Sequence, residues 1–308
     1  MQYVSMDKVS AQESVEHKYS KHNIEGTILK TIREYEPFVG MINEGVDLVL
    51  QWADTDHGYA SKNRRASEVY DMNPKKIVEQ VFILTLQIQE AHLFTNVVGQ
   101  LAGIFPHETK IAKAKTAADI LALLCDLDFY DIWKDGKYES LKIQCNYDMP
   151  EHLARFIKQT KYLPPMLVEP RKLKCNSDSG YLTIDHDSVI LGSGNHHNDD
   201  VCLDALNLFN SVPLALDVEL LKTYSEMKPE KIDNPDKERQ WKSMVMDSYA
   251  VYRDLVKQGN EFYLTHKVDK RGRVYCCGHH ISTQGNSFRK AIINLANKEL
   301  VDGVPTKR

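Results

Sequence analysis

The sequence predicts a mainly α-helical protein with small β elements, an α+β fold, and three features carry that expectation. Through the first 160 residues apolar side chains recur at three- and four-residue spacing, the period of a helix with one buried face. At Leu163-Pro164-Pro165 the pattern breaks, because proline lacks a backbone donor and pushes the residue before it out of the helical region. Beyond that point two long helical stretches alternate with short strand-like runs.

Taken in order, the spacing predicts helices over about 27–52, 74–105 and 112–127 within a mostly helical segment 1–161. The stripe Ile77, Val81, Leu84, Ile88, His92 and Val98 marks the second of these and reads as core. Segment 162–199 holds the prolines and a hairpin, Tyr181-Leu182-Thr183-Ile184 against Ser188-Val189-Ile190-Leu191, turning at Asp185-His186-Asp187. Segment 200–264 carries two long helices, about 200–226 and 236–261. Segment 265–308 reads as a strand over 265–275 and a helix over 287–299 with Asn286 as its N-cap. There is no internal repeat or low-complexity tract.

With 308 residues and 42% hydrophobic content, the chain can bury one large core or two smaller ones. No uncharged run is long enough to span a bilayer and no signal-peptide pattern precedes the first helix, so no membrane association is expected and the cytosol is. The cysteines Cys125, Cys145, Cys175, Cys202, Cys276 and Cys277 show no C-x-x-C spacing and read as reduced thiols. A formal net charge of −4 argues against a protein that coats nucleic acid over its whole surface. Between His266 and Lys290, however, Lys267, Lys270, Arg271, Arg273, Arg289 and Lys290 face one acid, Asp269, which is a basic island suited to contact along one channel.

That island, HKVDKRGRVYCCGHHISTQGNSFRK, is the most informative stretch. Arginine offers a planar fork of donors that matches a phosphate, and glycine lets a backbone approach its ligand closely. Arg271-Gly272-Arg273 combines both, although the same tripeptide also occurs in solvated loops. Asp269, four residues before Arg273, reads as a structural ion-pair partner, not as a catalytic carboxylate. Gln284 and the Gly285 amide are candidate ligands of a sugar or phosphate, and Lys290 adds charge; for Arg289 and Lys290 a solvated helix face is the competing reading.

Asp269-Lys270-Arg271-Gly272-Arg273-Val274-Tyr275, followed by Gln284-Gly285-Asn286, resembles the Asp-x-x-Gly-Arg block of the single-subunit RNA polymerases of bacteriophages and mitochondria. Two further blocks stand in that family's order. Pro165-Met166-Leu167-Val168-Glu169-Pro170 through Gly180-Tyr181-Leu182 is similar to its P-M-x-x-P-P…G-Y-L element, and Ala205-Leu206-Asn207 through Leu214-Ala215-Leu216-Asp217 to its A-L/I-N…W-x-I-N helix. The chain departs from the pattern at Glu169 (usually proline), Leu214 (tryptophan) and Ser287 (aspartate).

The resemblance, over about 165–300, implies that the helices of 200–264 form a thumb and that 265–308 begins the palm and the partner interface. It implies template or hybrid contacts by Arg271, Gly272, Arg273, Gln284, Gly285 and Lys290, with Asp269 and Tyr275 in support and Arg273 foremost. The family's palm and fingers, with their metal-binding aspartates, follow this block, whereas the sequence stops at Arg308 after the polar tail Asp302-Gly303-Val304-Pro305-Thr306-Lys307-Arg308. It therefore resembles the smaller, amino-terminal chain of a polymerase divided in two, as in the two-chain middle RNA polymerases of enquatrovirus-type phages. Implied partners are a larger carboxy-terminal subunit holding Mg2+, template DNA, the RNA:DNA hybrid, and promoter-recruiting or single-stranded DNA-binding accessory proteins, all in the cytoplasm of an infected bacterium. This chain alone would be inactive. The rival reading is a non-catalytic nucleic-acid-binding protein or transcription accessory factor.

His196, His197, Asp199 and Asp200 invite a metal reading, as do Cys276-Cys277 with His279-His280, yet neither set has a recognised zinc spacing. The first is better read as a loop capping the helix near Asp200. No phosphate loop, nucleophile elbow or H-E-x-x-H helix supports an independent hydrolase.

Overall fold

The computed structural model describes residues 2–136, 139–185, 187–192, 195–298 and Gly303. The chain divides into two units, Lys21–Lys158 and, together, Met1–Ser20 with Gln159–Arg308. The break near 160 thus lies close to the Leu163-Pro164-Pro165 signal, but the first helix, α1 (Gln2–Tyr19), belongs with the carboxy-terminal residues. The tail beyond Lys298, apart from Gly303, and His186 of the expected hairpin turn lie outside the described residues.

The helix expected over 27–52 is two, α2 (Lys21–Glu34) and α3 (Glu36–Asp54), parted at Tyr35, whose extended backbone precedes Pro37 in the first turn of α3. After α4 (Ala60–Tyr70), Asn73 caps α5 (Pro74–Leu86) by accepting from Lys76 N–H. The single helix expected over 74–105 is corrected by the structure, which has α5, β1 (His92–Leu93), α6 (Phe94–Leu101) and a 3-10 turn at Ala102–Ile104. Gln87 and Gln89 side chains donate to Ile83 O and Leu86 O at 2.7 Å, satisfying carbonyls that a continued helix would have used. Ile88 stays in the core and its carbonyl accepts from Cys145 N–H, so the apolar stripe continues although the helix does not.

Next come α7 (Lys110–Leu123), capped by Thr109, a 3-10 turn at Leu124–Leu127, β2 (Tyr130–Lys134), β3 (Leu141–Cys145) and α8 (Glu151–Gln159). The strands form one antiparallel sheet in the order β1-β3-β2, which the helical pattern did not foretell. Phe38, Phe82 and Phe129 centre this unit's core, the last two stacked at 4.2 Å.

In the other unit, the long helix expected over 200–226 is broken into α9 (Leu203–Asn210), β4 (Leu214–Leu216) and α10 (Val218–Thr223). Pro213 turns its predecessor away from helix, and Asp217 restarts one by accepting from Leu220 N–H. Over 200–264 only α11 (Pro235–Lys257) is long, so of the two long helices expected there the second forms and the first does not. The strand expected over 265–275 is a hairpin, β5 (His266–Val268) and β6 (Val274–Cys276). The helix expected from 287 ends early: α12 (Ser287–Ala291), capped by Asn286 as expected, gives way to β7 (Ile293–Leu295), which pairs antiparallel with β4.

No regular strand forms over 181–184 or 188–191. Ile190 makes a parallel bridge to Val268. Leu182 and Thr183 N–H donate instead to the Glu16 carboxylate of α1 at 2.9 and 2.6 Å, and Leu167 N–H donates to Gln12 Oε1 at 2.8 Å. Both polar side chains are 1% exposed, so α1 is fastened to the 166–183 segment by buried hydrogen bonds as well as by Ala11 and Val15 in the Phe262 core cluster.

Candidate nucleic-acid interface

The turn between β5 and β6 is built around one carboxylate. Asp269 Oδ1 accepts from Arg271 N–H (2.9 Å) and Arg273 N–H (3.1 Å), and Gly272 N–H donates to Asp269 O at 2.9 Å. Gly272 has φ +79°, a conformation that favours glycine, so the D-x-x-G spacing is what lets the chain reverse here. Arg273 donates to Asp269 Oδ2 through Nε (2.8 Å) and a terminal nitrogen (2.7 Å), while Arg271 approaches the same oxygen at 3.3 Å.

Desolvation works against charge on Asp269, but the Arg273 amide and guanidinium and the Tyr275 hydroxyl outweigh it and hold the carboxyl below its usual range. The arginines themselves stay wet, 64% exposed at Arg271 and 52% at Arg273. A guanidinium has five N–H donors, so Arg273, anchored by one edge and lying 5.5 Å from the Tyr275 ring centre, keeps its other edge for a further acceptor. Two forks oriented by one half-hidden carboxylate can take phosphate oxygens with little ordering of long side chains.

The other expected residues fall into two groups. Lys270 and Lys290 are exposed and have no ion-pair partner among the described residues. Gln284 is engaged by the protein: Nε2 donates to Val274 O (2.9 Å) and Oε1 accepts from Cys276 N–H (3.1 Å). Gly285 N–H donates to Ser282 O, and a Cβ at Gly285 would stand 2.8 Å from Arg289 Cβ. Arg289 is no part of a solvated face. Its Nε and a terminal nitrogen pair with Glu226 Oε1 (3.0 Å) and Oε2 (3.3 Å), and it reaches His279 O and Ser248 Oγ. Lys267 pairs with Asp187 at 2.6 Å. The basic island is thus smaller than the sequence suggests, because Glu226 and Asp187 arrive from distant positions.

Around Arg289 lies a buried polar network that sequence reading missed. Ser248 Oγ donates to Met244 O, Tyr252 hydroxyl donates to His280 O, and His280 Nδ1 lies 3.1 Å from Ser248 Oγ. Burial first, then His279 and Arg289, pushes His280 down to about 4, so the ring is neutral at pH 7. His279 stacks on Tyr162 at 3.4 Å. No local motif announces such a network, since its members lie on five separate segments.

Of the metal readings, His196 Nδ1 sits 2.6 Å from Ser188 Oγ, and α9 begins at Leu203 with Cys202 at its N-cap, so no side chain of 196–200 caps it. Among the described residues no three His, Cys, Asp or Glu side chains gather as a metal site. A cavity of about 130 Å3 beside β5 is lined by Tyr181, Asp187, Asn210 and Lys267, among others. No described helix is long and apolar enough to cross a membrane.

The chain is similar to a protein of Agaricus bitorquis named "Probable DNA-directed RNA polymerase", 26% identical over 219 residues that cover 60% of this chain and 20% of that relative. The chain therefore spans about a fifth of the length of the curated relative it matches. No protein-family profile matches the chain. The similarity is distant and reaches only part of either chain.

Proposed function

We propose that this chain is the amino-terminal, template-gripping portion of a phage DNA-directed RNA polymerase divided between two chains. The observation that carries the reading is the β5–β6 turn: two exposed guanidiniums held by Asp269 within a block that resembles the single-subunit polymerase motif. The distant similarity to a protein named as a polymerase supports the same class. In this reading the larger partner chain supplies palm, fingers and the Mg2+ ions of nucleotidyl transfer, and works in the cytoplasm of the infected bacterium. Promoter-recruiting or single-stranded DNA-binding proteins would complete the assembly.

The contribution of this chain is alignment. Arg273 and Arg271 hold backbone phosphates of the template or hybrid, Lys270 and Lys290 add unpaired positive charge, and Gly272 lets the turn come close. Such contacts position a duplex without reading its bases. Position matters because misplacing reacting atoms by about 1 Å can cost roughly a hundredfold in rate. The test is nucleotide incorporation with magnesium: the chain alone makes no RNA, and co-expression with a palm-bearing product of a neighbouring reading frame gives a complex that does. Template-dependent synthesis by the purified chain alone would overturn the proposal.

A further inference from the structure

β6 is an edge strand, and two of its outer backbone groups are paired by a side chain. On its inner side it meets β5, and β5 is flanked in turn by Val189 and Leu191, which bond Val268 N–H and O at 2.8 and 2.7 Å. On the outer side Gln284 alone takes the place of a strand, its Oε1 accepting from Cys276 N–H and its Nε2 donating to Val274 O. Among the described residues Asn207 likewise pairs both amide ends with the backbone of Leu173, and Asn260 with that of Leu216. An amide side chain offers the same donor and acceptor as a peptide group, so it closes an edge without another strand.

The base from which Gln284 reaches is itself fixed. Its N–H donates to Ser282 Oγ, Gly285 packs against Arg289, and Asn286 caps α12 while donating to Glu226 Oε1 at 2.7 Å. The buried Glu226–Arg289 pair then holds α12.

We infer that Gln284 is a positioning residue for the Arg271–Arg273 turn, acting through the backbone of β6, and is not itself a ligand of nucleic acid. The inference rests on the reading of that turn as a backbone grip. It predicts two results for Gln284→Ala in the full chain. In the free protein the Cys276 amide, whose acceptor is removed, exchanges at least about tenfold faster. Affinity for an RNA:DNA hybrid falls roughly three- to tenfold in the wild-type background and hardly at all when Arg271 and Arg273 are already alanine.

Unchanged Cys276 exchange, or an equal loss of affinity in both backgrounds, would overturn the inference, the latter by marking Gln284 as a direct ligand. Faster exchange together with wild-type affinity of the Arg271→Ala, Arg273→Ala double variant would keep Gln284 as the support of the turn and remove the grip reading instead. Should Gln284→Ala fail to fold, Gln284→Glu keeps an acceptor for Cys276 N–H and opposes a carboxylate to Val274 O. It should show protection between wild type and none, and full protection would count against the inference.

Discussion

Glu226→Gln isolates the charge at the centre of the buried network while keeping the side chain's volume. The Glu226 side chain is 2% exposed and that of Arg289 10%, and besides Glu226 the guanidinium meets, among the described residues, neutral oxygens of His279 at 3.2 Å and Ser248 at 3.4 Å. Losing the carboxylate leaves an uncompensated cation in the interior and weakens the acceptor that also receives Asn286 Nδ2. Breaking one side of a buried pair typically destabilises by about 3–5 kcal/mol. Protection of core amides in this unit, such as those of Tyr252 and Leu255, should then drop by roughly two to four orders of magnitude in hydrogen exchange, up to the limit set by its global stability. Amides of the Phe38 and Phe82 core, in the other unit, serve as the internal control and should not change. Replacing the pair together, Glu226→Leu with Arg289→Met, should recover most of the loss. A drop of less than about tenfold for Glu226→Gln would refute the claim that this pair anchors α12.

Gly285→Ala places a methyl 2.8 Å from Arg289 Cβ and 3.3 Å from Ser282 O, and overpacking of this kind should destabilise by about 1–3 kcal/mol in urea unfolding. Glu16 feels burial first, which opposes its charge, but its bonds from Thr183, Leu182 and Gln12 leave its carboxyl below the ordinary value of 4.5. Its stabilisation is therefore complete above that value and lost as pH falls through the lower folded one, so Glu16→Gln should flatten the acid side of the stability profile, measured by hydrogen exchange at Leu182 and Thr183.

The sequence showed what is local and hid what is long-range. The helical front half is legible because Ile77, Val81 and Leu84 recur at the helical period, and the Asn286 cap because a side-chain acceptor bonds an amide three residues on. Helix length was overread where an apolar stripe ran on into a strand, as at Ile88, since periodicity cannot see that Cys145 will claim its carbonyl. The 269–273 turn was readable in principle: an aspartate that accepts from amides two and four residues on, with a left-handed glycine between, forbids a continuous strand. The roles of Glu226 and Glu16 were not readable, because Glu226 meets Asn286 and Arg289, and Glu16 meets Leu182 and Thr183, all at least sixty positions away. The same blindness hid the carboxylate that pairs with Arg289 and the backbone groups that Gln284 meets.

Whether the turn at Asp269–Arg273 grips a nucleic-acid backbone is decided by the salt dependence of binding. Wild type and Arg273→Ala are compared on duplexes and single-stranded templates of differing sequence, with Cys276 amide protection checked to show that the hairpin is intact. A backbone grip gives Arg273→Ala weaker binding on every sequence alike and a slope of log affinity against log salt that flattens by about 0.9 on duplex or about 0.7 on single strands. An intact hairpin whose affinity and slope equal those of wild type would contradict it.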